Sequence, residues 1–521
     1  MEENHQIART AGIVSGATLL SRLAGLARDQ VTANFFGDSS IAAAFVVAFR
    51  IPNLLRRLLA EGALTVAFVP VFVQTLAEGG PGAAKKLFRC MFTLLSLTLL
   101  VICAVGILLA PEIVSLMAPG FSPTTARYEL TVLLTRLLFP YIFFIGLGAL
   151  FMGALNSGGY FAVPALGPFA ANLTMIAAIF FFNNHLEQPI LSMVIGALAG
   201  GALQLAVQKP SLRCMGLSLR PKMNFSDPAI KKIIVLMGPA ALGAAVYQIS
   251  VFINTILASF LPEGSIPWLY YSDRLMQFPL GIFTMAISSA ALPALSRLAA
   301  SGDQAGFLAS ARFALDLSFF ITIPAMTGLI ILAEPLVTFL FQRGAFTTHS
   351  TAGTAAALKA FALGLPCLSG AAIITRIFYS RHDTRTPTLV GIGSLAAGAG
   401  TALILMSPLK HVGLALASSF SSLVNFIWLF IVLLKRERGF PLAPLLKELT
   451  SYVTLAAVMG VVIWPLGLWA AASGPTWALG LKTLITVAGG VLIYTLLALI
   501  TRRPQAIPLI KLFHRRFPLK Y

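Results

Sequence analysis

The chain has 521 residues, of which 58% are hydrophobic and only 11% charged, with a mean hydropathy of +0.87. A soluble protein of this length carries about a quarter charged residues, so the composition excludes a soluble globular fold and marks a polytopic integral membrane protein. The formal net charge of +19 lies largely in a few loops between apolar runs and in the tail, the distribution of the positive-inside rule, so nucleic acid is excluded as a partner.

In chain order, "MEENHQIART" opens with acids, and the apolar run after it is interrupted by Arg22, Arg28 and Asp29, which does not fit a cleavable signal peptide. The first predicted span, 10–36, contains "SRLAGLARDQ". There Arg22 and Asp29 stand seven residues apart on one helical face, and Arg28 is rotated by about 100°. The second, 41–72, carries Arg50, Arg56 and Arg57 with Asn53 and Glu61. Asn53, Arg57 and Glu61 form an i, i+4, i+8 stripe, with Arg50 on the same side. Lys85, Lys86 and Arg89 follow, then spans at 88–110, 129–156, 161–183 and 188–207. A basic loop holding Lys209, Arg213, Arg220 and Lys222 leads to spans 229–261 and 268–297, the latter beginning "WLYYSDRLMQFP" with Asp273 and Arg274. Spans 310–340 and 353–380 hold Asp316 and Lys359, single charges best read as structural polar contacts. Spans 386–407 and 411–434, the basic stretch Lys435, Arg436, Arg438 and Lys447, spans 447–472 and 477–501, and a basic tail complete the chain.

The expected fold is therefore all-α, with about fourteen transmembrane helices. The loops "FFGDSS", "FNNHLEQ", "LPEGS" and "AASGP" carry no Lys or Arg, so the charge bias places both termini in the cytoplasm. The tail, with aromatics among its basic residues, suits anionic lipid headgroups. Cys90, Cys103, Cys214 and Cys367 have no CxxC spacing and read as small apolar residues.

Landmarks recur about 224 residues apart. Pro70 is echoed by Pro293, Pro111 by Pro335, Phe121 by Phe346, Pro140 by Pro366 and Pro164 by Pro387. Each unit spans six helices, an even number, which predicts two parallel pseudo-symmetric lobes, 1–207 and 229–434. A basic loop, 208–228, joins them; a linker, 435–446, two additional helices, 447–501, and a tail, 502–521, follow. Two lobes around a central site suit alternating access.

Each Arg or Lys at the centre of a span costs roughly 2.5–3.5 kcal/mol on insertion scales. Snorkelling or structural pairing explains any one of them, but not five arginines in the first two spans and a sixth in the eighth. Such charges usually face a watery cavity. An excess of guanidinium, a planar fork of five donors, suits phosphate or carboxylate. A cation exporter would instead need acids. No Walker loop, no metal-binding histidine spacing and no isolated carboxylate pair is present, so the reading is a transporter, not an enzyme, with no metal or cofactor.

"SRLAGLARD", "FRIPNLLRRLLAEGALTVAFVPVF", "MGPAALGAAVYQISVFINTILASFL", "YYSDRLMQFPLGIF" and "FYSRHDTRTP" together resemble the MurJ (MviN) lipid II flippases, of the superfamily that also holds MATE multidrug exporters and polysaccharide-precursor flippases. The resemblance runs from about residue 8 through the last span. It implies fourteen spans in two lobes, a bacterial inner-membrane location, and movement of undecaprenyl-diphosphate-linked disaccharide-pentapeptide to the outer leaflet for peptidoglycan synthesis. By motif position the functional arginines would be Arg22, Arg28, Arg56 and Arg274, with Asp29 and Glu61 as charged partners. The two last helices would form a groove for the polyprenyl tail. Other cell-wall synthesis proteins are candidate partners. Many relatives have an Asp where this chain has Ala43, so that carboxylate's role does not transfer. In some relatives acids on spans seven and eleven bind sodium. Here span seven offers Asn254 but no acid, and Asp383 begins span eleven, so sodium coupling is not carried over and the membrane potential is the alternative drive. Rival readings are an exporter of another polyprenyl-linked glycan or of drugs on the same fold, and a non-transporting scaffold.

Overall fold

The computed structural model describes residues 2–55, 64–224, 227–471, 476–503 and 505, and among these it contains helices and no strands. Two compact units divide the chain, Met1–Glu263 and Gly264–Tyr521. In the first unit the helices are α1 Glu2–Phe36, α2 Ser40–Leu55, α3 Thr65–Leu108, α4 Ala110–Met117, α5 Ala126–Leu138, α6 Pro140–Ser157, α7 Ala162–Phe182, α8 Leu191–Cys214 and α9 Pro228–Ser259. In the second they are α10 Ser265–Pro279, a π-helical turn Leu280–Thr284, α11 Met285–Ala300, α12 Gln304–Ile331, α13 Ala333–Phe341, α14 Thr348–Ala362, α15 Leu365–Ser380, α16 Arg385–Arg436, α17 Leu442–Ala471 and α18 Thr476–Ile500.

Among the described residues nine helices are long and apolar enough to cross a membrane, and a pair bent by 43°, α14 with α15, makes a tenth. Two of the nine are double. α3 turns at Gly80, whose φ of 68° lies in the left-handed region open to glycine, with Pro81 next. The stretch before that turn continues the second expected span, and the stretch after it is the third. α16 breaks at Lys410, φ 50°, between the eleventh and twelfth expected spans.

Proline explains most of the remaining breaks, because it lacks a donor and its ring collides with the preceding turn. Pro140 opens α6, Pro111 stands in the first turn of α4, and Pro366 in the first turn of α15. Pro111 and Pro335 each lie just beyond a one-residue break, at Leu109 and Leu332. The paired residues Phe121 and Phe346 are both buried. Starts are capped by side chains that take up orphan backbone donors: Asp227 accepts from the Ala229 N–H at 3.1 Å, Asp303 from Gly306 at 2.9 Å, and Thr347 with Ser350 forms a capping box.

Close helix approach in the first unit depends on two glycines one turn apart on α8. A Cβ on Gly196 would stand 2.6 Å from Met175 Cα, and one on Gly200 would stand 2.9 Å from Ala171 Cα. Small residues at this spacing let membrane helices pack where no hydrophobic drive exists. They bring α7 against α8 and fix the height of the residue between those contacts, Asn172.

The seventh expected span, α9, packs with the first unit. Lys86 pairs with Asp227 at 3.5 Å, Lys232 Nζ donates to Gln74 at 2.9 Å, and the Gly120 N–H donates to Ser259 at 3.0 Å. The second unit is built around α12, with Phe320 set between Tyr452 and Tyr494 at ring distances of 5.5 and 5.2 Å. Large apolar residues such as Phe181, Val461 and Ile500 stand exposed on helices of membrane-spanning length, as hydrocarbon contact requires.

Candidate functional site

In the first unit the charges of α1 are placed by α1 and α7 together. Arg28 and Asp29 are both buried, at 8% and 3% exposure. Arg28 Nη2 and Nε donate to Asp29 Oδ1 at 2.6 and 3.2 Å, and Nη1 donates to Asn172 Oδ1 at 3.1 Å. The Asn172 amide in turn donates to the Ser21 carbonyl at 3.3 Å. A carboxylate on one edge and an amide oxygen on another fix the plane of the guanidinium, which a single ion pair leaves free to swing.

Helical spacing puts Arg22, not Arg28, on the face of Asp29, yet the ion pair joins the adjacent residues, because a long guanidinium side chain can fold back along the helix. Arg22 is half-buried and makes no side-chain hydrogen bond or ion pair among the described residues.

Arg50, on α2, reaches α9: Nη1 donates to Thr255 Oγ1 and, at 3.4 Å, to the Val251 carbonyl. Asn254, beside Thr255, is half-buried. Asn53 donates to the Phe49 carbonyl of its own helix at 3.0 Å. Arg56, Arg57 and Glu61 lie outside the described residues.

In the second unit Asp273 accepts from Gln277, one turn later, and the Arg274 guanidinium lies 5.6 Å from the Tyr270 ring. Both sit on α10, which gives way to the π-helical turn at Leu280. Asp383 caps the start of α16, accepting from the Thr386 N–H at 3.0 Å and the Thr386 hydroxyl at 2.6 Å, and it pairs with Arg436. Burial pushes its carboxyl up, but the bonds from Thr386 and Arg436 outweigh that and hold it below the usual carboxylate range. Asp316 pairs with Arg312 at 3.2 Å, and Lys359 is exposed.

Sequence reasoning missed Asn172. Its signal was present, a lone amide in the apolar stretch "FAANLTMI" of span five, since a polar side chain inside a span needs a partner.

A family model described as "Lipid II flippase MurJ" matches residues 32–487. A probable lipid II flippase MurJ of Vibrio cholerae is 37% identical over 475 residues, covering 89% of each chain. The lipid II flippase MurJ of Burkholderia cenocepacia is 36% identical over 456 residues, covering 87% of this chain and 88% of its own. Among solved structures, a lipid II flippase MurJ in an inward closed conformation superposes with a TM-score of 0.79 at 28% identity, over 94% of this chain and 98% of that one. An inward-facing MATE-family multidrug transporter shares the fold, with a TM-score of 0.67 at 16% identity over 82% of this chain and 98% of its own.

Proposed function

The chain belongs to the lipid II flippase MurJ family, and on that premise we propose that it carries lipid II from the inner to the outer leaflet of the bacterial inner membrane by alternating access. It is a transporter for peptidoglycan synthesis and not an enzyme. The observation that carries the reading to named residues is the buried Arg28, held in one orientation by Asp29 and Asn172. Lipid II bears a diphosphate and peptide carboxylates, anions that match a planar donor fork. Its polyprenyl tail can stay in hydrocarbon while the headgroup crosses. The further substrate-binding residues are Arg22, Arg50, Arg56 and Arg57 with Asn53 and Glu61 in the first unit, and Arg274 with Asp273 in the second. The termini are cytoplasmic, and the two last helices receive the tail.

The drive we assign is electrical. An inside-negative potential is worth about 2.3 kcal/mol per charge per 100 mV; it favours outward passage of an anion and draws an empty cationic site back inward. The test is reconstitution in vesicles loaded with lipid II, sodium-free, with an imposed inside-negative potential. Lipid II should reach the outer leaflet, and collapse of the potential should slow it. Failure to move lipid II under any ionic condition overturns the flippase reading. A strict sodium requirement at constant potential overturns the electrical drive alone and returns attention to Asn254 and Asp383.

A further inference from the structure

The second unit buries a group of ionisable side chains that the lipid II reading does not use. On α12, Asp316 is 2% exposed and its Oδ2 lies 3.2 Å from Arg312. On α17, Glu448 pairs with Arg503, just past the end of α18, at 3.1 Å. Tyr452 of α17 and Tyr494 of α18 flank Phe320, one turn beyond Asp316. Asp316, Glu448, Tyr494 and Arg503 are the ionisable neighbours acting on the Tyr452 hydroxyl. Arg312 and Glu448 are the charged groups acting on Asp316 among the described residues, and none from α11, α14 or α15 joins them.

Five buried polar atoms of this group have no hydrogen-bond partner among the described residues: Asp316 Oδ1, the hydroxyls of Tyr452 and Tyr494, Arg312 Nε and Arg503 Nε. Tyr452 is fully buried and Tyr494 is 4% exposed. Orphaned polar atoms at this depth are costly and are normally satisfied. The orphans include both donors and acceptors. An anion would meet two carboxylates, and a cation two guanidiniums. Water satisfies both kinds.

Side-chain exposure rises from 3% at Asp316 to 13% at Glu448, 22% at Arg503 and 29% at Arg312, so the two arginines link the buried carboxyl to the exposed side of the group. We propose that this group is a hydrated proton-exchange site, with Asp316 as the residue that takes up the proton. A hydronium arriving past the arginines gives its proton to Asp316 Oδ1. One O–H bond forms and water is left. Oδ2 keeps its place beside Arg312, and the quartet of two arginines and two acids passes from neutral to a single positive charge. Asp316, not Glu448, is the acceptor because it is the deeper of two neighbouring carboxylates and has the oxygen without a partner. The new hydroxyl can then donate to the water beside it.

The test is difference infrared spectroscopy of the full chain in lipid as the pH is lowered from mildly alkaline to mildly acidic. A protonated-carboxyl band should appear, shift in heavy water, and be lost in Asp316→Asn. In Tyr452→Phe its frequency should move, because a buried polar hydroxyl that acts on the carboxyl has gone. A band that persists in folded Asp316→Asn overturns the proposal, as does its absence from the unsubstituted protein. Should Asp316→Asn not fold, a band unmoved in Tyr452→Phe has the same force. The readout involves no lipid II, so it stands or falls apart from the flippase reading. Lipid II affinity in Asp316→Asn should be unchanged.

Discussion

Replacing Asn172 by Ala is the sharpest perturbation of the first unit. The substitution removes the acceptor that takes Arg28 Nη1 at 3.1 Å and the donor that reaches the Ser21 carbonyl at 3.3 Å, while the Asp29 ion pair at 2.6 Å stays. A hydrogen bond to a charged group is worth about 1.5–3 kcal/mol, and about 1.4 kcal/mol is tenfold in affinity. Were the whole loss to fall on the state that grips the diphosphate, lipid II binding would weaken about tenfold to a hundredfold. The small contacts at Gly196 and Gly200 that seat α7 on α8 are untouched, so the helix should remain in place. Asn172→Asp keeps an oxygen toward Arg28 and should recover much of the loss, whereas Ala cannot. The assay is equilibrium binding of lipid II to purified protein, with a melting curve run beside it. A lower melting temperature with wild-type affinity in the folded fraction would make Asn172 a structural tie between α1 and α7. A folded Asn172→Ala protein with both quantities unchanged refutes the claim that this amide orients Arg28.

Two further outcomes test orientation and the Asp383 cap. Cys214 is exposed, whereas Cys90 and Cys103 are buried and Cys367 is intermediate. In a chain retaining only Cys214, an impermeant thiol reagent should label it only after the membrane is opened, while Glu187→Cys in that chain with Cys214 removed should be labelled from outside; labelling of Cys214 in intact cells would reverse the assigned orientation. Asp383→Ala removes a helix cap worth about 1 kcal/mol together with the Arg436 pair, and should lower the melting temperature at neutral pH. Because the folded carboxyl lies below its ordinary range, this stabilisation is present above the unfolded value and lost as pH falls through the folded one. The gap between variant and wild type should therefore close in acid, and a gap independent of pH would show that the carboxylate charge is not the cause.

What could be read from the sequence divides by the range of the physics involved. Span positions depend on local hydropathy and are legible from it, whereas the prolines, read only as repeat landmarks, also interrupt expected spans: α6 starts at Pro140 inside 129–156, and α15 starts beside Pro366 inside 353–380. The arginines were conspicuous because a charge in an apolar run is costly wherever the run folds. Their partners were not. Helical periodicity relates residues of one helix, so it set Arg22 beside Asp29 and left Asn172 unremarked, although Arg28 and Asn172 are 144 positions apart. Nor does periodicity see that Arg50 reaches Thr255, 205 positions away. What brings such pairs together is the approach of backbones, and that is written in small residues: Gly25, whose Cβ would stand 3.6 Å from the Asn172 amide, and Gly196 and Gly200 against α7. A glycine in a membrane helix and a lone amide in the neighbouring span are each weak signals. Read together, as a close approach and the polar group it must satisfy, they locate the partner that a charged residue needs at membrane depth.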